Sequence, residues 1–159
     1  MLTFSQMLIR FVIALVLGAL LGLERELVGK EAGVRTEMLV AGGAAIFAII
    51  GLSLPYISAM PSGATPDMLA QNSGFNVIAN IVIGIGFLGA GLIIKTSDRP
   101  HGITTAALVW TTAAIGVLVG IGMITFAVIA AVSITALLYI LRKLDVAERI
   151  ERSTQQNTR

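Results

Sequence analysis

Asn76-Val-Ile-Ala-Asn-Ile-Val-Ile-Gly-Ile-Gly-Phe-Leu-Gly-Ala-Gly91 holds the run G-I-G-F-L-G and so fits the GxGxxG pattern of a dinucleotide-binding turn. Such a turn follows a short strand, opens a soluble amphipathic helix and has an acid about 20 residues further on. Here both flanks are apolar, and the next acid is Asp98 in a polar loop. The phosphate reading fails, and the stretch reads instead as a membrane helix. Small residues in such a helix let backbones approach closely, because lipid provides no hydrophobic drive for helices to associate.

The same character extends along the chain. Of its 159 residues 56% are hydrophobic and only 13% charged, with a mean hydropathy of +0.91, too apolar for a water-soluble domain of this size. A helix crossing the hydrocarbon needs roughly 20 residues without exposed charge. Five stretches qualify, at about Met7–Leu23, Met38–Leu54, Val77–Ile94, Ile103–Val119 and Met123–Leu141. The last two belong to one uncharged run from Thr104 to Leu141, which as a single helix rising about 1.5 Å per residue would cover roughly twice the hydrocarbon thickness. It must fold back, and Gly120-Ile-Gly122 is the hinge. The expected fold is all-α, with five transmembrane helices over residues 1–144. A short basic tail, 145–159, is too small to fold alone and is expected to be disordered beyond its first turns.

Lysine and arginine placement sets the orientation. With the N-terminus outside, Arg25, Lys30, Arg35, Lys95, Arg99, Arg142, Lys143, Arg149, Arg152 and Arg159 all face the cytoplasm, and Arg10 alone lies on the far side. The C-terminus is then cytoplasmic. Arg10, about one turn inside the first span, reads as an anchor whose stem lifts the guanidinium to the outer surface. The first span reads as retained, since no A-x-A-like cleavage site precedes Glu24.

Several chemistries drop out at this point. The chain has no cysteine, which removes disulfides, thiol nucleophiles and thiolate metal sites. Its net charge of +2 comes from membrane-flanking residues, without the basic stripe or aromatic platform that nucleic acid requires. No Asp, Glu, His or Cys falls inside the five spans as delimited, which argues against an intramembrane acid–base enzyme. The Glu24–Glu37 loop has neither nucleophile-and-base nor H-E-x-x-H spacing.

At about 100° per residue, Asn80, Gly84, Phe87, Gly91 and Lys95 share about a third of one helix circumference. Asn80 reads either as interhelical glue or as a substrate contact, and Gly84, Gly86, Gly89 and Gly91 as packing notches. In the fourth span Thr104, Leu108 and Thr111 fall near one stripe, and Thr105 and Thr112 on a neighbouring one. Their hydroxyls either return to the carbonyl one turn earlier or line a polar vestibule with Asn80. Trp110 is too deep for an interfacial belt and reads as helix packing. His101 reads as a neighbour of lipid headgroups.

The densest charge cluster is the loop Glu24 to Glu37, with Glu24, Arg25, Glu26, Lys30, Glu31, Arg35 and Glu37. If the first helix continues a turn past Leu23, Glu26 and Lys30 pair at i,i+4, and Gly29 and Gly33 let the chain turn back. A surface pair contributes only about 0.5 kcal/mol, and orientation requires bases but not acids. The loop reads either as a solvated topology determinant or as a functional rim of Glu24, Arg25, Glu26, Lys30, Arg35 and Thr36. Glu24 and Glu26 are its candidate metal ligands.

Gly22-Leu-Glu-Arg-Glu26, Lys30, Ala32-Gly-Val-Arg-Thr36, Gly84-Ile-Gly-Phe-Leu-Gly-Ala-Gly91, Gly102-Ile-Thr-Thr-Ala-Ala107, Trp110 and Ala113-Ala-Ile-Gly116 follow one another over nearly the whole chain. Together they resemble the signature blocks of the MgtC/SapB family. The resemblance implies a bacterial inner-membrane protein of five transmembrane helices, linked to growth under magnesium limitation and to virulence. In the family's namesake it implies restraint of the F-type ATP synthase. It carries over, by position, to Glu24, Arg25, Glu26, Lys30, Gly33, Arg35, Thr36, Gly86, Gly89, Gly91, Thr104, Thr105 and Trp110. Asn76 and Asn80 stand where the family pattern leads one to expect arginine and glutamine, and His101 replaces a base. Longer members add a soluble C-terminal domain; the residues after Leu144 are too few for one, so the chain reads as a short, SapB-like form.

Two functions follow as expectations. The first is a regulator in magnesium homeostasis that packs on another membrane complex through its glycine faces, the F-type ATP synthase being the partner the resemblance implies. The second is an oligomeric transporter or channel for Mg²⁺ or another cation, with oxygen ligands from Asn80, Thr104 and Thr105 and a rim of Glu24 and Glu26. Five short helices make a thin bundle, so a pore implies at least a homodimer. The bilayer is a partner in either case. No cofactor beyond Mg²⁺ is expected, and no enzymatic activity.

Overall fold

The computed structural model describes the backbone of residues 2–27, 29–62, 66–96 and 99–157, and the side chains of residues 2–27, 29–57, 76–93 and 101–144. The first helix opens on a capping box. Thr3 Oγ1 accepts from the Gln6 N–H at 3.4 Å, while Gln6 Oε1 accepts from the Thr3 N–H at 3.0 Å. α1 then runs Phe4–Leu27, a turn beyond the boundary expected at Leu23. Gly29 stops it. At φ +65° its N–H reaches the Glu26 carbonyl and the Lys30 N–H reaches the Arg25 carbonyl, so two carbonyls at the helix end are satisfied.

Four further helices follow: α2 (Val34–Ser62), α3 (Pro66–Leu92), α4 (Ile103–Ile121) and α5 (Ile124–Asn157). Phe4–Leu27, Val34–Ile57, Ile103–Ile121 and Ile124–Leu144 are long and apolar enough to cross a membrane, and α3 adds a shorter apolar stretch, Asn76–Leu92. The tail boundary expected at Leu144 falls inside α5, whose backbone stays helical to Asn157.

The fold is all-α as expected, with one short exception in a connection. The connection from α3 to α4 is a small antiparallel hairpin of β1 (Ile94–Thr96) and β2 (Arg99–His101), pairing Ile94 with His101 and Thr96 with Arg99. Helical phase ends at Leu92, so Lys95 leaves the face that carries Asn80, Gly84, Phe87 and Gly91. Gly102, at φ +85°, returns the chain to α4 directly against the Leu92 carbonyl, where no side chain fits.

The hinge expected between α4 and α5 is present. Gly122 takes φ +98°, and the N–H groups of Gly122 and Met123 bond the carbonyls of Val119 and Leu118. Arg10 completes this end of the bundle, donating from Nη1 to the Gly120 carbonyl at 2.7 Å. Its guanidinium is tied to the negative end of α4 and is not simply lifted to the surface.

Small residues set how the helices meet. In α1, a Cβ on Gly18 would lie 2.5 Å from the Glu37 carbonyl oxygen, and one on Gly22 would lie 2.6 Å from Val34 Cα. Further along, Gly42 of α2 fits against Leu15 and Phe11. The pairs run in opposite senses along the two helices, so α1 and α2 are antiparallel. Gly116 of α4 sits on the Ala41 carbonyl, and Gly120 sits against Ala45 and Ala48, so α2 and α4 run in the same direction. The core these contacts enclose is rich in alanine: Ala14, Ala41, Ala45, Ala127 and Ala131 around Leu17, Leu21 and Ile115. Large apolar side chains such as Phe47, Ile83, Phe87 and Phe126 point outward, the arrangement lipid accommodates and water does not.

Candidate functional site

Ionisable groups gather where the end of α1 meets the start of α2. The extra turn of α1 carries Glu24 and Arg25 into the protein, where they are 8% and 7% exposed. Arg25 Nε lies 3.2 Å from Glu24 Oε2, and Arg142 of α5 approaches Glu24 Oε1 at 3.9 Å from a half-exposed position. Glu26 does not pair with Lys30 in helical register, because α1 ends at Leu27 and Gly29 turns the chain away. Its Oε2 instead accepts the Val34 N–H at 2.9 Å, capping the first turn of α2, and Gly33 leaves the space that this carboxylate fills. Lys30 and Arg35 are exposed and Thr36 is half-buried.

One acid lies deeper than the sequence suggested. Glu37, which charge alone places in the loop, falls in the first turns of α2 and is 0% exposed. This corrects the expectation that the spans hold no carboxylate. Its side chain lies beside Thr112 of α4, also 0% exposed, and within electrostatic range of the Arg25 guanidinium of α1. Neither carboxyl oxygen of Glu37 has a hydrogen-bond partner, and the Thr112 hydroxyl has none either. The placement follows from packing. Glu37 to Thr112, Ala41 to Gly116 and Ala45 to Gly120 advance by one turn on each helix, so the glycine contacts hold the acid opposite the hydroxyl.

The other polar residues of the apolar helices are not brought together as expected. Thr105 is buried and its Oγ1 donates to Glu31 Oε2 at 3.4 Å, whereas Thr104 is exposed. Asn80 is exposed on the wall of a separate groove of about 650 Å³ between α2 and α3, lined by Leu39, Gly43, Phe47, Gly84 and Leu88. The vestibule of Asn80 with Thr104 and Thr105 is therefore not formed. Within the chain, Gly84, Gly86 and Gly91 face open space, and only Gly89 of that set touches α4, at Ala106. Trp110 is half-exposed beside Ile78, Val82 and Ala114 in a smaller cavity between α3 and α4.

Of the two candidate metal ligands, Glu24 lies beside arginines and Glu26 accepts a backbone N–H. Among the described residues, no three His, Asp or Glu side chains converge to hold a metal ion.

Comparison with known proteins gives this arrangement a family. The model of the MgtC family matches residues 11–147. The chain belongs to the MgtC family. It is 44% identical over 131 residues to Protein MgtC of Brucella abortus (strain 2308), covering 82% of this chain and 49% of that protein. It is 39% identical over 137 residues to Protein MgtC of Salmonella typhimurium (strain LT2), covering 86% and 52%. It is 36% identical over 126 residues to the "Putative magnesium transporter YhiD" of Escherichia coli (strain K12), covering 75% and 53%. The chain thus spans about half the length of these relatives. No solved structure matches.

For this MgtC-family chain the rim resolves into two different kinds of residue. Glu26, Gly29 and Gly33 build the corner, while Glu24, Arg25, Glu37 and Thr112 form a polar cluster inside it. The signal for Glu37 is present in the sequence as Glu37-x-x-x-Ala41-x-x-x-Ala45, small residues at helical spacing that continue the packed face up to the acid.

Proposed function

We propose that this MgtC-family protein serves magnesium homeostasis, and adaptation to stress or infection, as a multi-pass protein of the bacterial inner membrane that regulates another membrane complex. The observation that carries the reading is the groove between α2 and α3. Asn80 and open glycines lie together there on a surface otherwise apolar, a shape that takes a helix of another chain. An amide facing hydrocarbon is costly unless a neighbour bonds it, so Asn80 gives the groove a reason to be covered. The F-type ATP synthase and a second copy of this chain are the partners to look for. With the basic rim in the cytoplasm, the N-terminus lies outside and the C-terminus inside.

Cation transport is the second reading. The name of YhiD and the buried polar cluster at Glu37 favour it. Purified protein in sealed liposomes loaded with a Mg²⁺-sensitive dye separates the two. A regulator gives no flux, and Asn80→Leu or Gly84→Leu at normal protein level abolishes rescue of magnesium-limited growth. Selective Mg²⁺ entry lost in Glu37→Gln would replace regulation with transport.

A further inference from the structure

Glu37 raises a question that the regulatory reading leaves untouched. A carboxyl group with both oxygens buried and unpartnered sits in a helix bundle whose outer surface is apolar. Its surroundings can be named element by element. From α1 come Arg25 and Glu24, already 3.2 Å apart, and from α4 comes only the Thr112 hydroxyl, since α4 contains no titratable residue. Within the described part of α3, Asn76–Leu92, there is no ionisable residue. From α5 comes Arg142, which meets Glu24. In the corner before α2, Glu26 is engaged by the Val34 N–H and Glu31 by Thr105.

The charges decide what can sit at Glu37. In the observed arrangement Arg25 is taken up by Glu24, so a Glu37 ionised there is a buried negative charge with no partner of its own, which costs far more than a neutral acid in the same place. Without a rearrangement, that carboxylate calls for a single positive charge, not two. A Mg²⁺ ion keeps much of its water and prefers several oxygens, whereas this position offers one carboxyl and one hydroxyl between backbones locked by Gly18 and Gly116. A proton needs no room. A neutral carboxyl has one O–H to donate and a carbonyl to accept, which suits a single hydroxyl neighbour.

We propose that Glu37 is an intramembrane proton-binding site whose occupancy selects the carboxylate that Arg25 pairs with. With the proton bound, Arg25 pairs with Glu24 as observed. When the Glu37 O–H bond breaks and the proton leaves to water at the rim, the bonding electrons stay on Glu37 as a carboxylate. Arg25 then pairs with Glu37, and Glu24 keeps Arg142. Every buried charge is matched in both states, and the exchange links the α1–α2–α4 packing to α5 through Arg142.

Infrared difference spectroscopy of the full chain in nanodiscs, stepped between about pH 5 and about pH 9, tests this through the C=O stretch of neutral carboxyl groups. The expected result is a protonated-carboxyl band at neutral pH that shifts in D₂O, is absent in Glu37→Gln and is retained in Glu26→Gln. Thr112→Val keeps the band and moves it to higher frequency, because it removes the polar side chain of α4 beside the carboxyl. This variant serves equally if Glu37→Gln does not fold. Absence of the band in wild-type protein at neutral pH, or a band unmoved by Thr112→Val and Glu37→Gln alike, overturns the assignment. Loss of the band on adding Mg²⁺ at fixed pH would identify a divalent cation as the occupant and overturn it as well.

Discussion

Gly116 of α4 rests directly on the backbone carbonyl of Ala41 in α2, so closely that not even a methyl group fits between them. The contact, repeated one turn later at Gly120, fixes the register of two parallel helices. Gly116→Ala is expected to destabilise the bundle by about 3 kcal/mol, because a backbone cannot yield as a flexible side chain would. Gly84→Ala and Gly91→Ala, at positions facing open space, are expected to stay within about 0.5 kcal/mol of wild type. Reversible unfolding by SDS in mixed micelles measures both.

The buried pair of Glu24 and Arg25 sets a second expectation. At a pH that keeps Glu37 protonated, Glu24→Gln leaves the Arg25 guanidinium inside the protein without its carboxylate, a loss of about 3–5 kcal/mol for pairs of this kind. Arg142→Ala removes only a longer, half-exposed contact and is expected to cost less than about 1 kcal/mol. The double variant Glu24→Gln with Arg25→Gln should recover part of the single loss in the same unfolding assay.

Glu26 acts on structure by a different route. Its carboxylate caps the Val34 N–H, so Glu26→Ala is expected to lose about 1 kcal/mol and Glu26→Gln, which keeps an acceptor oxygen, clearly less. Gly33→Ala should resemble Glu26→Ala, because a methyl there meets Glu26 Oε2.

Arg10 holds the opposite end. Arg10→Ala removes a charged hydrogen bond to the Gly120 carbonyl and is expected to cost about 2 kcal/mol, with Arg10→Lys intermediate. Because the chain contains no cysteine, a single cysteine reports its own position. Met123→Cys should react with a membrane-impermeant maleimide on intact cells, and Lys30→Cys only after permeabilisation.

What the sequence disclosed depended on whether a feature was local. The apolar helices were legible because charge is scarce within them, and the turn at Gly122 because a fold-back was required and glycine takes positive φ freely. The corner was less legible. Charge marked Glu24 and Glu37 as loop residues, yet helix ends respond to capping by Gly29 and Glu26, so both acids belong to helices. Glycine spacing alone could not say which stripe faces inward, since Gly84 and Gly91 share helical periodicity with Gly116 and Gly120. Lys95 left the Asn80 face because the chain turned into a hairpin, a tertiary choice that helical projection cannot anticipate.

Regulation through another membrane complex requires that the groove between α2 and α3 receive another protein helix. A photo-crosslinking benzophenone residue at Gly84, with Ile129 on the exposed face of α5 as control, reports this directly in native membranes. The expected result is a discrete protein adduct from Gly84 and lipid adducts alone from Ile129. Lipid adducts alone from Gly84, in cells whose magnesium-limited growth the protein supports, would contradict it.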